Sequence, residues 1–118
     1  MPPEPNSSSP RYQAILQNLP ELLGAAKRAG VELVLCGSVA RGTDTDDKTP
    51  PSDIDFLCVS FLDGDAVDAR RRTLDLEKSF RDALAPFRVD IIGTPIMFVD
   101  APYRARMLRD SVPLEDLA

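Results

Sequence analysis

The sequence contains no histidine and no tryptophan. Without histidine, the usual general base near neutral pH and the commonest metal ligand are both missing. Any bound metal must therefore sit on oxygen. The only two cysteines, Cys36 and Cys58, cannot make a disulfide framework; each lies in an apolar run, where a thiol packs as a small hydrophobe. Aromatic residues make up 6% of the chain. Phe80, Phe87 and Phe98 are not interleaved with basic residues as a base-stacking platform requires, and they read as core. No apolar stretch approaches the ~18 residues of a membrane span. No signal peptide opens the chain, so a cytoplasmic protein with no membrane partner is expected. Positive charge is in deficit, with 14 basic against 19 acidic residues and a net charge of −5. That argues against broad, nonspecific nucleic-acid binding, which needs a basic face. It leaves room for a local basic strip or a basic protein partner.

What is present is enough for one ordered domain: 118 residues, 43% apolar and 28% charged. Residues 1–9 are rich in proline and serine and read as a flexible tail, leaving 10–118 as the domain. Ser9-Pro10 resembles a helix cap followed by a first-turn proline. Tyr12, Ile15, Leu16 and Leu19 recur at helical spacing, Pro20 kinks or restarts the helix, and Gly30 ends it. Residues 31–36 form an apolar strand, 38–41 one turn of a short helix, and 43–51 a polar loop whose acids Asp44, Asp46 and Asp47 read as solvated. A second strand is expected over 53–60, and a turn at Asp63-Gly64-Asp65 leads into it a long helix toward Ala85. That helix puts Ala66, Ala69, Leu76, Phe80, Ala83 and Leu84 on one face. Its Arg70-Arg71-Arg72 run reads as a solvated face, with a partner or RNA contact as the alternative. A third strand is expected over 88–92, an apolar connection over 95–99, and a last helix over 101–109. The fold class is α/β (α+β), a short sheet flanked by helices.

The chemistry-bearing residues fall at the strand ends. Asp53 and Asp55 are two apart on a strand, so both project from one face. Two carboxylates so placed repel unless a cation lies between them, and they suit Mg²⁺, which takes oxygen ligands and keeps substrate phosphates in its shell. Asp90 on a neighbouring strand can join them. Three carboxylates can hold two metals about 3.5–4 Å apart, the separation used for in-line phosphoryl displacement. After the first strand, Gly37 lets backbone approach a phosphate, Ser38 adds a hydroxyl, and N–H groups at a helix head favour negative charge. Gly42 lets the chain leave sharply. Arg41 either neutralises a phosphate or pairs with Asp44 or another acid of the loop. Asp90 has an alternative too, a salt bridge to Arg88 or another arginine.

Gly37-Ser38…Ala40-Arg41-Gly42, then Ser52-Asp53-Ile54-Asp55, then Val89-Asp90 together resemble the DNA polymerase β-like nucleotidyltransferase superfamily. The pattern is most similar to its minimal nucleotidyltransferases, often the antitoxin half of HEPN/MNT toxin–antitoxin pairs. The resemblance covers residues 31–93 and implies the small nucleotidyltransferase fold with a mixed sheet. It implies that Asp53, Asp55 and Asp90 bind two Mg²⁺ ions and catalyse, with Asp90 helping to deprotonate the acceptor. It also implies that Gly37 and Ser38, with Arg41 and Gly42, hold the nucleotide phosphates. The implied reaction moves a nucleotide, AMP from ATP or the equivalent from another NTP, onto an acceptor hydroxyl and releases pyrophosphate. The implied acceptor is a tyrosine of a cognate HEPN-type toxin. One departure stands out: residues 43–51 make a longer loop than minimal members usually carry at the site mouth.

Two other readings use the same residues. The domain could be a binding antitoxin that silences its partner by occlusion, although an intact aspartate triad favours an enzyme. A free-standing transferase acting on tRNA or a small molecule is disfavoured by the acidic charge and the lack of a second domain.

Overall fold

The computed structural model describes residues 4–61, 66–92 and 101–117. Helix α1 (Pro10–Gln17) starts where Ser9 accepts a hydrogen bond from the Tyr12 N–H on its Oγ, with Pro10 in the first turn. Asn18 closes it, and α2 (Leu19–Ala29) restarts at once with Pro20 in its own first turn. Gly30 ends α2 in the left-handed conformation. Strand β1 (Val31–Cys36) follows, then the short α3 (Gly37–Arg41). Strand β2 (Ile54–Phe61), α4 (Ala66–Leu84), β3 (Val89–Ile92), α5 (Ala101–Arg109) and β4 (Val112–Pro113) complete the order. A 3-10 turn (Leu114–Asp116) closes the described chain. The expected turn at 63–65 and the connection at 95–99, with Phe98, lie outside the described residues.

The sheet order is β3-β2-β1-β4. β1 runs antiparallel to β2 and to β4, whereas β2 and β3 are parallel. A parallel pair needs a crossover, and α4 supplies it. The alternation of side chains splits the strands between two apolar clusters. Val31, Leu33, Leu35, Ile54, Phe56, Cys58, Val89 and Ile91 pack with Ile15, Leu22, Leu76, Phe80 and Leu84, so α1, α2 and α4 cover one face. Phe56 and Phe80 meet edge to face there, centroids 5.0 Å apart. Val34, Cys36 and Leu57 face the other way, against Met107 and Leu108 of α5. This second cluster is small, and the sheet beside it carries the acids.

Candidate active site

The strand register builds the site. β1 ends at Cys36, directly opposite Asp55 near the start of β2. β3 lies parallel on the other side of β2, with Asp90 beside Asp55. Three strands thus bring Gly37, Asp55 and Asp90 to one end of the sheet. Asp55 and Asp90 fall out of phase with the buried Ile54, Phe56, Val89 and Ile91, on the more open face. Asp53 sits just ahead of β2 rather than on it, which corrects the expectation of two strand-borne carboxylates.

Gly37 fits this corner because it lacks a side chain. Its φ is 73°, and a Cβ there would collide with Oδ2 of Asp55. Gly42 plays the same part at the exit of α3, with φ 75° and backbone close to the Glu4 carbonyl. Glu4 and Asn6, in the segment read as tail, therefore lie against the α3 exit.

The electrostatics are those of a site short of positive charge. Asp55 is pushed up to about 6, first by burial and then by Asp53 and Asp90, while Arg41 and Lys48 pull it down. Asp53 Oδ1 is buried without a hydrogen-bond partner; Arg88 Nε lies 3.4 Å away, an ion pair out of hydrogen-bonding alignment. Arg88 thus goes to Asp53, and the expected alternative of an Asp90–Arg88 bridge is not formed. Among the described residues Asp90 has no ion pair. Burial pushes both thiols up to about 12, so neither cysteine offers a thiolate ligand near neutral pH. The donors facing the site are oxygens, which suits a hard divalent cation. Among the described residues no three such side chains close into a preformed cage. A cation here would complete its shell from a ligand, as Mg²⁺ does with phosphates.

Two hollows meet at Asp53. One, of about 380 Å³, is lined by Gly37, Ser38 and Arg41 of the turn, by Lys48 of the loop, and by Asp53 and Asp55. The second, of about 530 Å³, runs from Asp53 past Phe87 and Arg88 to Asp90. A larger hollow between α2 and α4, about 580 Å³ and lined by Arg28, Arg71, Arg72 and Asp75, is remote from the carboxylates. Arg71 and Arg72 there pair with Asp68, and Arg72 reaches the Ala29 carbonyl, tying α4 to the end of α2.

Residues matching the family model for a nucleotidyltransferase domain run from 15 to 114. The chain belongs to the nucleotidyltransferase domain family. A solved structure assigned as a minimal nucleotidyltransferase is 26% identical, with a TM-score of 0.59 over 92% of this chain and 99% of that one. No curated protein matches the chain. The small mixed sheet flanked by helices is thus the minimal nucleotidyltransferase fold.

Several residues at or behind this candidate site of the nucleotidyltransferase domain went unread in the sequence. Lys48 enters the first hollow from the polar loop. As the lone cation among that loop's acids, it carried a signal that could have found it. Arg11 is buried and donates from Nε to the Ser52 carbonyl at 2.8 Å and from Nη2 to Asp46 at 2.5 Å, with Nη1 3.7 Å from Asp44. Asp44 is also held by Ser9 Oγ, 2.6 Å away. This corrects two expectations: Asp44 is not a solvated acid, and it is not the partner of Arg41. No periodicity marks these pairings. Among the described residues Arg41 has no ion pair and borders the first hollow.

Proposed function

We propose that this nucleotidyltransferase moves a nucleoside monophosphate, AMP from ATP in the first instance, onto an acceptor hydroxyl in a Mg²⁺-dependent reaction. The observation that carries the reading is the junction of two hollows at Asp53, one beside the glycine turn and one beside Asp90. Triphosphate and acceptor can then approach the same carboxylates from two sides.

In this reading Gly37 and Ser38 bind the β- and γ-phosphates, and Arg41 offsets their charge. Gly42 releases the chain after the turn. Asp53, Asp55 and Asp90 would hold Mg²⁺, which when bound neutralises the phosphate oxygens and polarises the α-phosphorus. The orphaned Asp53 oxygen and the raised Asp55 fit that role. Asp90, the exposed member, takes the proton from the acceptor hydroxyl. The acceptor oxygen bonds to the α-phosphorus, the bond from that phosphorus to the β-bridging oxygen breaks, and pyrophosphate leaves. The site holds the reacting groups close, which is the protein's main contribution to such a transfer.

The acceptor we propose is a tyrosine of a cognate HEPN-type toxin, making the chain an antitoxin that acts by modification. The test is incubation with ATP labelled at the α-phosphate, Mg²⁺ and the product of the neighbouring gene, beside the Asp53→Asn/Asp55→Asn protein. Label on the neighbour that requires the aspartates supports the reading. A stable, unlabelled complex that still silences the neighbour would contradict it and leave a binding antitoxin.

A further inference from the structure

The loop between Gly42 and Ser52 is pinned rather than free. Thr45 and Ser52 bracket it: the Ser52 N–H donates to the Thr45 carbonyl at 3.0 Å, and the Thr45 N–H donates to Ser52 Oγ at 2.9 Å. Arg11 fastens this bracket to α1 through Asp44, Asp46 and the Ser52 carbonyl. Its guanidinium also lies over the Phe87 ring, 5.1 Å from the centroid. Residues 46–51 lie between the two bracket residues, the Asp47 N–H donates to Thr45 Oγ1 at 3.0 Å, and Pro50-Pro51 restrict the backbone of the tip. Lys48, Thr49, Pro50 and Pro51 of this tip line the smaller hollow together with Gly37, Ser38 and Arg41.

Among the described residues Lys48 has no ion pair, nor does Arg41 in the same hollow. Lys48, from the loop, and Arg41, from the end of α3, both act electrostatically on Asp55. Two cations without ion pairs thus share this hollow with two carboxylates. A ligand that satisfies both must bring negative charge to the basic side chains and a cation to the carboxylates. A metal-bound polyphosphate does so; a neutral or simply cationic ligand does not.

We infer that Lys48, presented by the loop that Arg11 fastens, is a phosphate-binding residue that grips the nucleoside triphosphate held at the Gly37–Ser38 turn. The inference rests on the nucleotidyl-transfer reading and adds a contact contributed by the long loop of this chain. Lysine serves here as a mobile point charge rather than a bidentate fork, so arginine can replace it in part.

The test is equilibrium binding of ATP, GTP, CTP and UTP with Mg²⁺, and of the matching monophosphates, to the wild type and to Lys48→Ala, Lys48→Arg, Lys78→Ala and Asp53→Asn. Lys78 is an exposed lysine of α4 and serves as the charge control. For the triphosphate that the wild type binds best, Lys48→Ala should weaken binding by about fivefold, a partly solvated charge–phosphate contact. Monophosphate binding should stay unchanged, Lys48→Arg should recover most of the loss, and Lys78→Ala should match the wild type. Triphosphate binding by Lys48→Ala equal to wild type, while Asp53→Asn loses it, would overturn this inference alone. A wild type that binds no triphosphate with Mg²⁺ would overturn the proposed function and this inference with it.

Discussion

At the scale of single residues, the site depends on an absence at Gly37. Its positive φ and the space that Asp55 occupies in place of a Cβ make it a position for glycine alone. Gly37→Ala should cost about 1–3 kcal/mol of stability from backbone strain. It should also turn the Asp55 carboxylate away, so transfer falls further than the folded fraction does. Thermal melts beside activity assays check this; an alanine protein with wild-type turnover would contradict it. Asp55 gives a pH signature as well. Its folded value near 6 lies above the ordinary 3.8, so the native state holds that proton more tightly than the unfolded chain. The stability this provides is full below about pH 4 and is lost as pH rises through about 6. Without metal, the melting temperature of Asp55→Asn relative to the wild type should rise steadily from pH 4, through pH 6, to pH 7.5. Added Mg²⁺ should stabilise the wild type more at the higher pH, where its ligand is deprotonated. A difference between the two proteins that does not change with pH would contradict the assignment of the shift.

At the scale of elements, the strands and helices were largely legible, because periodicity and punctuation record them. Ser9-Pro10, Pro20, Gly30 and Pro86 mark the boundaries, and the apolar runs became β1, β2 and β3. The long loop was legible only as a departure in length. Its acids read as solvated, yet Asp44 is buried, because its partners Ser9 and Arg11 lie 35 and 33 positions earlier in the chain. No local pattern records such a contact. Arg11 is the residue on which this loop depends. Arg11→Met should lower stability by about 3 kcal/mol, since it leaves the Asp44 carboxylate buried without its cation. Asp46→Ala should cost under about 1 kcal/mol, because that carboxylate is 68% exposed. Urea unfolding of the two proteins compares them. Equal losses would show that the loop is not held through the buried Asp44 pair.

At the scale of the molecule, the fold gathers its chemistry by mixing strand directions. Antiparallel pairing sets the end of β1 against the start of β2, and parallel pairing sets the start of β3 beside it. The glycine turn and the acids near residues 37, 55 and 90 meet at one sheet end for that reason. The motif spacing made this grouping readable. The short β4 pairing and the two hollows meeting at Asp53 emerge only from the assembled sheet and loop. Among the described residues, no helix is long and apolar enough to cross a membrane.

The central claim is that this sheet end performs nucleotidyl transfer. The most direct measurement supplies Mg²⁺ and ATP labelled at either the α- or the γ-phosphate, with the neighbouring gene product as acceptor, to the wild type and to Asp53→Asn/Asp55→Asn. The account predicts α-label retained on the acceptor, γ-label released as pyrophosphate, and neither with the double variant. Label on the acceptor from the γ-phosphate, or transfer that survives the loss of both carboxylates, would contradict it.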